Sequence, residues 1–295
     1  MDQAGLSNTS ITLADISFQN YMRLAGITIL YYDFLLTFPG EVAYCWRKPN
    51  SATSCLFFLN RYFSILVSFV INVENFAPFR TDMLCNVYAL FRQVALFVAQ
   101  IVVCCILILR TYALWGRSRR ILVCMIATAV MLLTISFWAM TDEKHSTSIR
   151  LGCHSALAQP TAIHLAIAWE CLLVFDILIV SLTLYKSYKE ISWSRTEGTG
   201  ILNKLILLML RDGAVYFTVM ACTNLANVLT FYVLPPARSG TFVTVTSSIS
   251  VMLVSRLMLN LHKGAAVSRA ASGTSATVEF VPMQHRHSDN SSCLV

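Results

Sequence analysis

Seven long apolar stretches divide this chain, and each is about 18 to 25 residues long. That is the length an α-helix needs to cross about 30 Å of hydrocarbon. They fall near Tyr21–Phe38, Cys55–Val73, Val87–Leu109, Ile121–Met140, Thr161–Leu184, Asp212–Leu234 and Thr241–Leu261. A helix facing lipid satisfies every backbone N–H and C=O within its own segment, so helices are the structure these stretches can adopt. The reading is an all-α integral membrane bundle of seven transmembrane helices.

The composition agrees. Of 295 residues, 56% are hydrophobic and 13% charged, and the mean hydropathy is +0.64. A water-soluble domain would carry about 25% charged residues. The expected organisation is an extracellular tail over residues 1–20, a membrane domain over 21–261 and a disordered cytoplasmic tail over 262–295, which is rich in Ser, Thr, His and Ala. No internal repeat stands out, which weakens a transporter built on inverted repeats.

The net charge of +7 is segregated by loop and is no nucleic-acid signal. The first, third and fifth loops hold Arg47, Lys48, Arg110, Arg117, Arg119, Arg120, Lys186, Lys189, Arg195 and Lys204. The second, fourth and sixth hold Arg80, Lys144, Arg150 and Arg238. Basic residues near membrane ends stay in the cytosol, so the N-terminus is expected outside and the C-terminus inside. A basic inner face also suits the anionic headgroups of a lipid bilayer. The polar start of the chain lacks the basic n-region of a cleavable signal peptide. Asn8 opens the sequon Asn8-Thr9-Ser10 in the exported tail, a candidate for glycosylation. The plasma membrane is the expected location.

Of ten cysteines, Cys85 and Cys153 fall in outer loops, where disulfides persist. A bond between them is expected, with two free, buried thiols as the alternative. The five within spans read as small apolar packing residues. No pair has zinc-ligand spacing. The six histidines lie in loops, at one span start and in the tail, and HExxH, G-x-S-x-G and P-loop patterns are missing. We therefore expect no enzyme activity, no catalytic residue, no cofactor and no metal.

Ionisable groups inside spans are the better pointers to function, because each is costly unless it faces the bundle interior or an interface. Glu170 sits roughly 13 Å from the outer end of span 5 at about 1.5 Å per residue. With Arg92 and Trp169 it could line an outward-open site for a small ligand; a satisfied structural carboxylate is the other reading. Asp176 lies deeper, toward the cytosol. Asp33 and Arg61 fall at similar depths near the inner ends of spans 1 and 2, and an ion pair between them is expected. The competing account has Arg61 snorkelling to lipid phosphates and Asp33 bonded to Asn60 or Tyr62. Asn224 and Asn227 share one face of span 6, where they can hydrogen-bond a neighbouring helix. Pro39-Gly40 is expected to close the first helix.

The run Tyr31-Tyr32-Asp33-Phe34-Leu35-Leu36-Thr37-Phe38, then Glu41-Val42 and Trp46, then Leu59-Asn60-Arg61-Tyr62, resembles the N-terminal signature of a large fungal, mainly basidiomycete, family of seven-span proteins. That signature is catalogued as a domain of unknown function. Further runs that resemble the family are Leu109-Arg110-Thr111-Tyr112-Ala113-Leu114-Trp115, Arg211-Asp212-Gly213 with Tyr216-Phe217, and Ser255-Arg256-Leu257-Met258-Leu259-Asn260-Leu261. The resemblance implies a seven-helix membrane fold and carries over no catalytic or ligand residue.

A looser likeness is to G-protein-coupled receptors. Cys85 and Cys153 stand where those receptors place their extracellular disulfide. Arg110-Thr111-Tyr112 is similar to their acidic-Arg-Tyr triplet, with Leu109 in place of the acid. Span 7 departs from the pattern in lacking proline. At this level the likeness is one of fold. It suggests a receptor-like sensor that binds a small ligand between helices and meets a cytosolic signalling protein at Arg110, Tyr112 and Arg211. The alternative is a transporter or channel-like protein.

Overall fold

The structure, a computed structural model, describes residues 2–46, 52–76, 82–141, 149–151, 154–156, 159–194, 201–235 and 238–278, with the side chains near several of these ends left out. Seven helices follow in order: α1 (Asp2–Tyr44), α2 (Ala52–Phe76), α3 (Asp82–Leu114), α4 (Arg119–Thr141), α5 (Gln159–Ser194), α6 (Ile201–Val233) and α7 (Val243–Val278). Between α4 and α5, β1 (Ile149–Leu151) and β2 (His154–Ala156) pair antiparallel, with Arg150 opposite Ser155.

Among the described residues, six helices contain a segment long and apolar enough to cross a membrane: Thr53–Ile71, Leu90–Leu114, Arg119–Ala139, Ile163–Lys189, Gly213–Val233 and Val243–Gly264. These are expected spans 2 to 7, shifted by a few residues. The first helix is less apolar, because Arg23, Thr28, Tyr31, Tyr32, Asp33 and Thr37 interrupt its stretch. It nevertheless lies along α7. At one end the Asp15 carboxylate meets Arg238, 2.6 Å away, just before α7. Further along, Gly26 sits against the Val245 backbone, then Asp33 meets Arg256 at 2.5 Å, then Gly40 packs on Leu259. Rising numbers on one helix match rising numbers on the other, so α1 and α7 run parallel.

Two expectations about helix ends are corrected. Helix α1 does not close at Pro39-Gly40: it carries Pro39 inside and runs to Tyr44. Proline removes one N–H and usually breaks a helix. Here the residues beyond it are tied down by the fully buried Glu41, described below. Nor does helix stop near residue 262: α7 continues to Val278, although Gly264, Gly273 and several Ser and Thr residues in this stretch favour helix little. At the other end, α1 begins at Asp2, so residues 2–20 of the expected tail are helical as well.

The core gathers around α7, whose membrane segment is 67% buried, against 17% for that of α4. Helix α7 touches α1, α2, α3 and α6, while α5 packs between α4 and α6. The main apolar cluster brings together Phe57, Val103, Ile106, Leu107, Phe175, Ile179, Phe217, Met220, Val254 and Leu257. Exposed Leu, Val, Ile, Phe and Trp on the outer faces, such as Leu35, Leu66, Phe69, Val123, Phe137 and Trp138, are what a lipid-facing surface requires.

Candidate functional site

Polar side chains in the bundle interior are arranged in two groups, one near the end of the bundle where α1 finishes and α2 begins and one near its middle. The inner group centres on Glu41 and Arg61, whose side chains are 0% and 4% exposed. The Arg61 Nε lies 2.8 Å from Glu41 Oε2, an ion contact off the hydrogen-bond axis. Arg61 Nη2 donates to the Phe34 carbonyl at 2.8 Å and to Thr37 Oγ1 at 2.7 Å. Its guanidinium lies over the rings of Phe34, 4.6 Å to the centroid, and Phe57, 5.7 Å. Glu41 in turn accepts from the Tyr62 hydroxyl at 2.7 Å and from Trp46 Nε1 at 3.1 Å.

This corrects the expected Asp33–Arg61 pair. Asp33 is buried, but its ion partner is Arg256 on α7 at 2.5 Å. Arg61 takes Glu41, which follows the helix past Pro39 and so reaches the level of Arg61. Both acids still act on Arg61 electrostatically, so the two expected partners belong to one network with different direct pairs. Replacing Arg256 with glutamine removes one charge-assisted bond to Asp33 and is expected to cost about 1.5–3 kcal/mol. Thermal unfolding of the purified variant measures it.

Near the C-terminal end of α3, Arg110 reaches across to α6. A Cβ added at Gly213 would stand 2.8 Å from Arg110 Nη2, and the Arg110 guanidinium lies 5.9 Å from the Phe217 ring centroid. Tyr112 is half-buried against the main core. Next to it Trp115 stacks on Tyr185, with centroids 5.9 Å apart and an interplanar angle of 6°. The side chain of Arg211 lies outside the described residues, as do those of Asn8, Cys85 and Cys153.

The expected outer trio is only partly brought together. Trp169 is buried among Ala166, Val228, Phe231 and Val243, with Leu96 of α3 packed on that cluster. Arg92 is half-buried one turn from Leu96. Glu170 accepts a hydrogen bond from the Tyr232 hydroxyl of α6. Among the described residues no ion pair joins Arg92 to Glu170.

The mid-depth group was not anticipated as a site. The apolar segment of α5, Ile163–Lys189, has its midpoint at Asp176, and Glu170 lies nearer its N-terminal end. Asp176 is 2% exposed and accepts a hydrogen bond from Asn224 Nδ2 of α6. Gln100 Nε2 of α3 donates to Ser247 Oγ of α7 at 3.2 Å, and Thr246 Oγ1 donates to the Thr223 carbonyl at 3.3 Å. A turn or two deeper, Asn60 Nδ2 of α2 donates to the Val251 carbonyl at 3.3 Å and to Ser255 Oγ at 3.1 Å. The signal for this layer was present in the polar residues of spans 3, 5, 6 and 7. Which of them share a level depends on helix ends and packing.

Among the described residues no group of three or more His, Cys, Asp and Glu side chains is placed to hold a metal ion. Residues 21–66 match the model of a family of unknown function, DUF6533. The matched segment contains Phe34, Thr37, Glu41, Trp46, Arg61 and Tyr62, which build the Glu41–Arg61 network. No curated protein and no solved structure matches the chain. The chain is a multi-pass, membrane-type helical protein with a segment similar to that family.

Proposed function

We propose that the chain is a seven-span receptor-like sensor of the plasma membrane, N-terminus outside and C-terminus in the cytosol. A small ligand binds between the outer ends of α3, α5 and α6, near Arg92 and Glu170, and a cytosolic signalling protein meets the inner ends of α3 and α6. α1 is the seventh span. Its parallel course beside α7 supports this, since first and seventh helices of an alternating bundle point the same way. The reading needs no catalytic residue, cofactor or metal.

The observation that carries it is the contact between Arg110 and α6. The long side chain lies in the space left by the missing Cβ of Gly213. The sensor reading requires a second arrangement of the inner ends of α3 and α6, in which this contact is broken. A ligand that binds one arrangement better shifts the balance. Basic inner loops, with Arg117, Arg119 and Arg120 next to α3, then present a charged face to an acidic partner surface.

A thermal-shift screen of the purified protein against small molecules tests the ligand half. A ligand at 100 times its Kd adds about 2.7 kcal/mol to the native state. Nucleotide exchange on a G protein, stimulated by such a ligand, tests the signalling half. The second reading, a transporter, is favoured by Asp176 at the middle of its membrane segment. Solute flux into liposomes without any exchange activity would support that reading and overturn the first.

A further inference from the structure

We propose that Arg117, Arg119, Arg120, Lys186 and Lys189 form a binding site for the phosphate-bearing headgroup of an anionic membrane lipid of the phosphoinositide class. The site lies at the end of the bundle where α3 finishes, α4 begins and α5 leaves its apolar segment. The inference goes beyond the sensor reading and does not depend on it, because binding is measured on the purified chain whichever way it lies in a membrane.

A ring stack brings the basic residues of two chain segments together. Trp115, just past α3, and Tyr185 of α5 lie nearly parallel, with centroids 5.9 Å apart and 6° between their planes. Lys186 Nζ stands over the Trp115 ring, 5.9 Å from its centroid. Lys189 follows Lys186 by three positions and so lies on the same side of α5. Past Trp115 the chain turns tightly: Arg117 N donates to the Tyr112 carbonyl at 3.0 Å, and Leu122 N to the Ser118 carbonyl at 3.2 Å. Arg117, Arg119 and Arg120 therefore all fall within five positions of Trp115.

Positive charge dominates this corner. Arg117, Arg119, Arg120 and Lys189 are exposed, and among the described residues no acidic side chain pairs with them. The chain carries no Asp or Glu between Asp82 and Asp142, so neither the end of α3 nor the start of α4 supplies one. Glu190, next to Lys189, is the one acid near the five bases in sequence. Like charges held this close repel one another, and an anion with several oxygens relieves the repulsion. Arg117 also holds a left-handed backbone, φ 61°, where glycine or asparagine would be less strained. An arginine at that position is explained by what its side chain binds.

The surroundings favour a lipid over a soluble anion or an acidic protein. Tyr185 and Tyr188 are exposed beside the bases, and so are Val123 and Leu184. Tyr and Trp collect at the membrane–water boundary, and exposed Val and Leu belong in hydrocarbon. The bases thus border the lipid-facing surface at headgroup depth, where clusters of Lys and Arg hold anionic lipids. Guanidinium groups take phosphate oxygens in pairs and lysines add point charges. Three arginines and two lysines match a headgroup with several phosphates better than one with a single diester.

The test titrates the full chain in neutral detergent micelles with short-chain phosphatidylinositol bisphosphate at constant ionic strength and reads Tm. The proposal expects a saturable rise of several degrees, with short-chain phosphatidylserine needing at least several-fold more lipid. Arg119→Gln combined with Arg120→Gln, and separately Lys189→Gln, should each move the midpoint to at least several-fold higher lipid. If the double arginine variant does not fold, Lys189→Gln decides. Lys263→Gln, at an exposed lysine of α7, should leave the titration unchanged. No rise in Tm would overturn the proposal. So would a rise unaltered by the patch substitutions, or one weakened equally by Lys263→Gln. Free inositol trisphosphate or a polyglutamate peptide that matches the lipid's midpoint would make the occupant a soluble phosphate or an acidic protein, and would overturn it too.

Discussion

Replacing Arg61 with methionine is expected to lower the stability of the bundle by about 3–5 kcal/mol, the usual cost of leaving one member of a buried ion pair behind. Methionine keeps much of the arginine stem's volume, so the loss reports on charge more than on packing. Glu41, with its side chain 0% exposed, would remain buried with the Tyr62 hydroxyl and Trp46 indole as its hydrogen-bond donors. The double variant Glu41→Gln with Arg61→Met should recover most of the loss, since a buried pair removed whole costs far less than a pair broken. A charge swap separates the observed pairing from the one the sequence suggested. Exchanging Glu41 and Arg61 should restore part of the folded yield lost by each single change. Exchanging Asp33 and Arg61 should not, because Asp33 belongs with Arg256. Denaturant unfolding of the purified variants gives both answers. An Arg61→Met variant as stable as the wild type would mean that Arg61 reaches lipid phosphates in place of Glu41.

The second large effect is expected at Gly26. A Cβ built there would lie 3.0 Å from both the N and Cα of Val245 and 3.2 Å from the Thr244 carbonyl carbon. These are backbone atoms of the most buried helix, so the neighbour cannot turn aside as a side chain can. Small residues let membrane helices approach this closely, and a larger one forces the backbones apart. Gly26→Ala should cost about 1–3 kcal/mol, the range for overpacking a tight contact. Gly26→Leu should separate α1 from α7 and put the Asp33–Arg256 pair at risk along with it. Disulfide trapping between cysteines introduced on α1 and α7 reads the separation directly. Efficient trapping in the Gly26→Leu background would contradict this account of the contact.

These two sites show what was legible in the chain and what was not. The six apolar segments stood out because lipid demands long runs without charge, and composition alone reveals such runs. Their ends were harder. Pro39 reads as a stop by local rules, yet α1 continues because Glu41 gains Arg61, Tyr62 and Trp46 as partners from beyond its own turn. The depth of Arg61 and Asp33 was readable from residue counts, which is why a pair between them was expected. Their actual partners were not, because Arg256 is separated from Asp33 by 223 positions in sequence, and only packing against α7 brings it near. The extent of α5 was legible only in part: its apolar segment runs past Leu184 to Lys189, and Asp176 stands at the middle of that segment. Asn224 and Asn227 were correctly put on one face, a matter of helical period. Their neighbours follow from the arrangement of four helices, which periodicity does not contain.

The claim on which the functional account rests is that α1 crosses the membrane beside α7 and leaves the two ends of the chain on opposite sides. Glycosylation-tag mapping in membranes measures it. Tags placed ahead of α1 and in the 142–148 connection should be modified. Tags placed after Arg117 and after Lys263 should stay unmodified. Modification after Arg117 or Lys263, or an N-terminal tag that behaves like the C-terminal one, would contradict a seven-span arrangement and the sensor built on it.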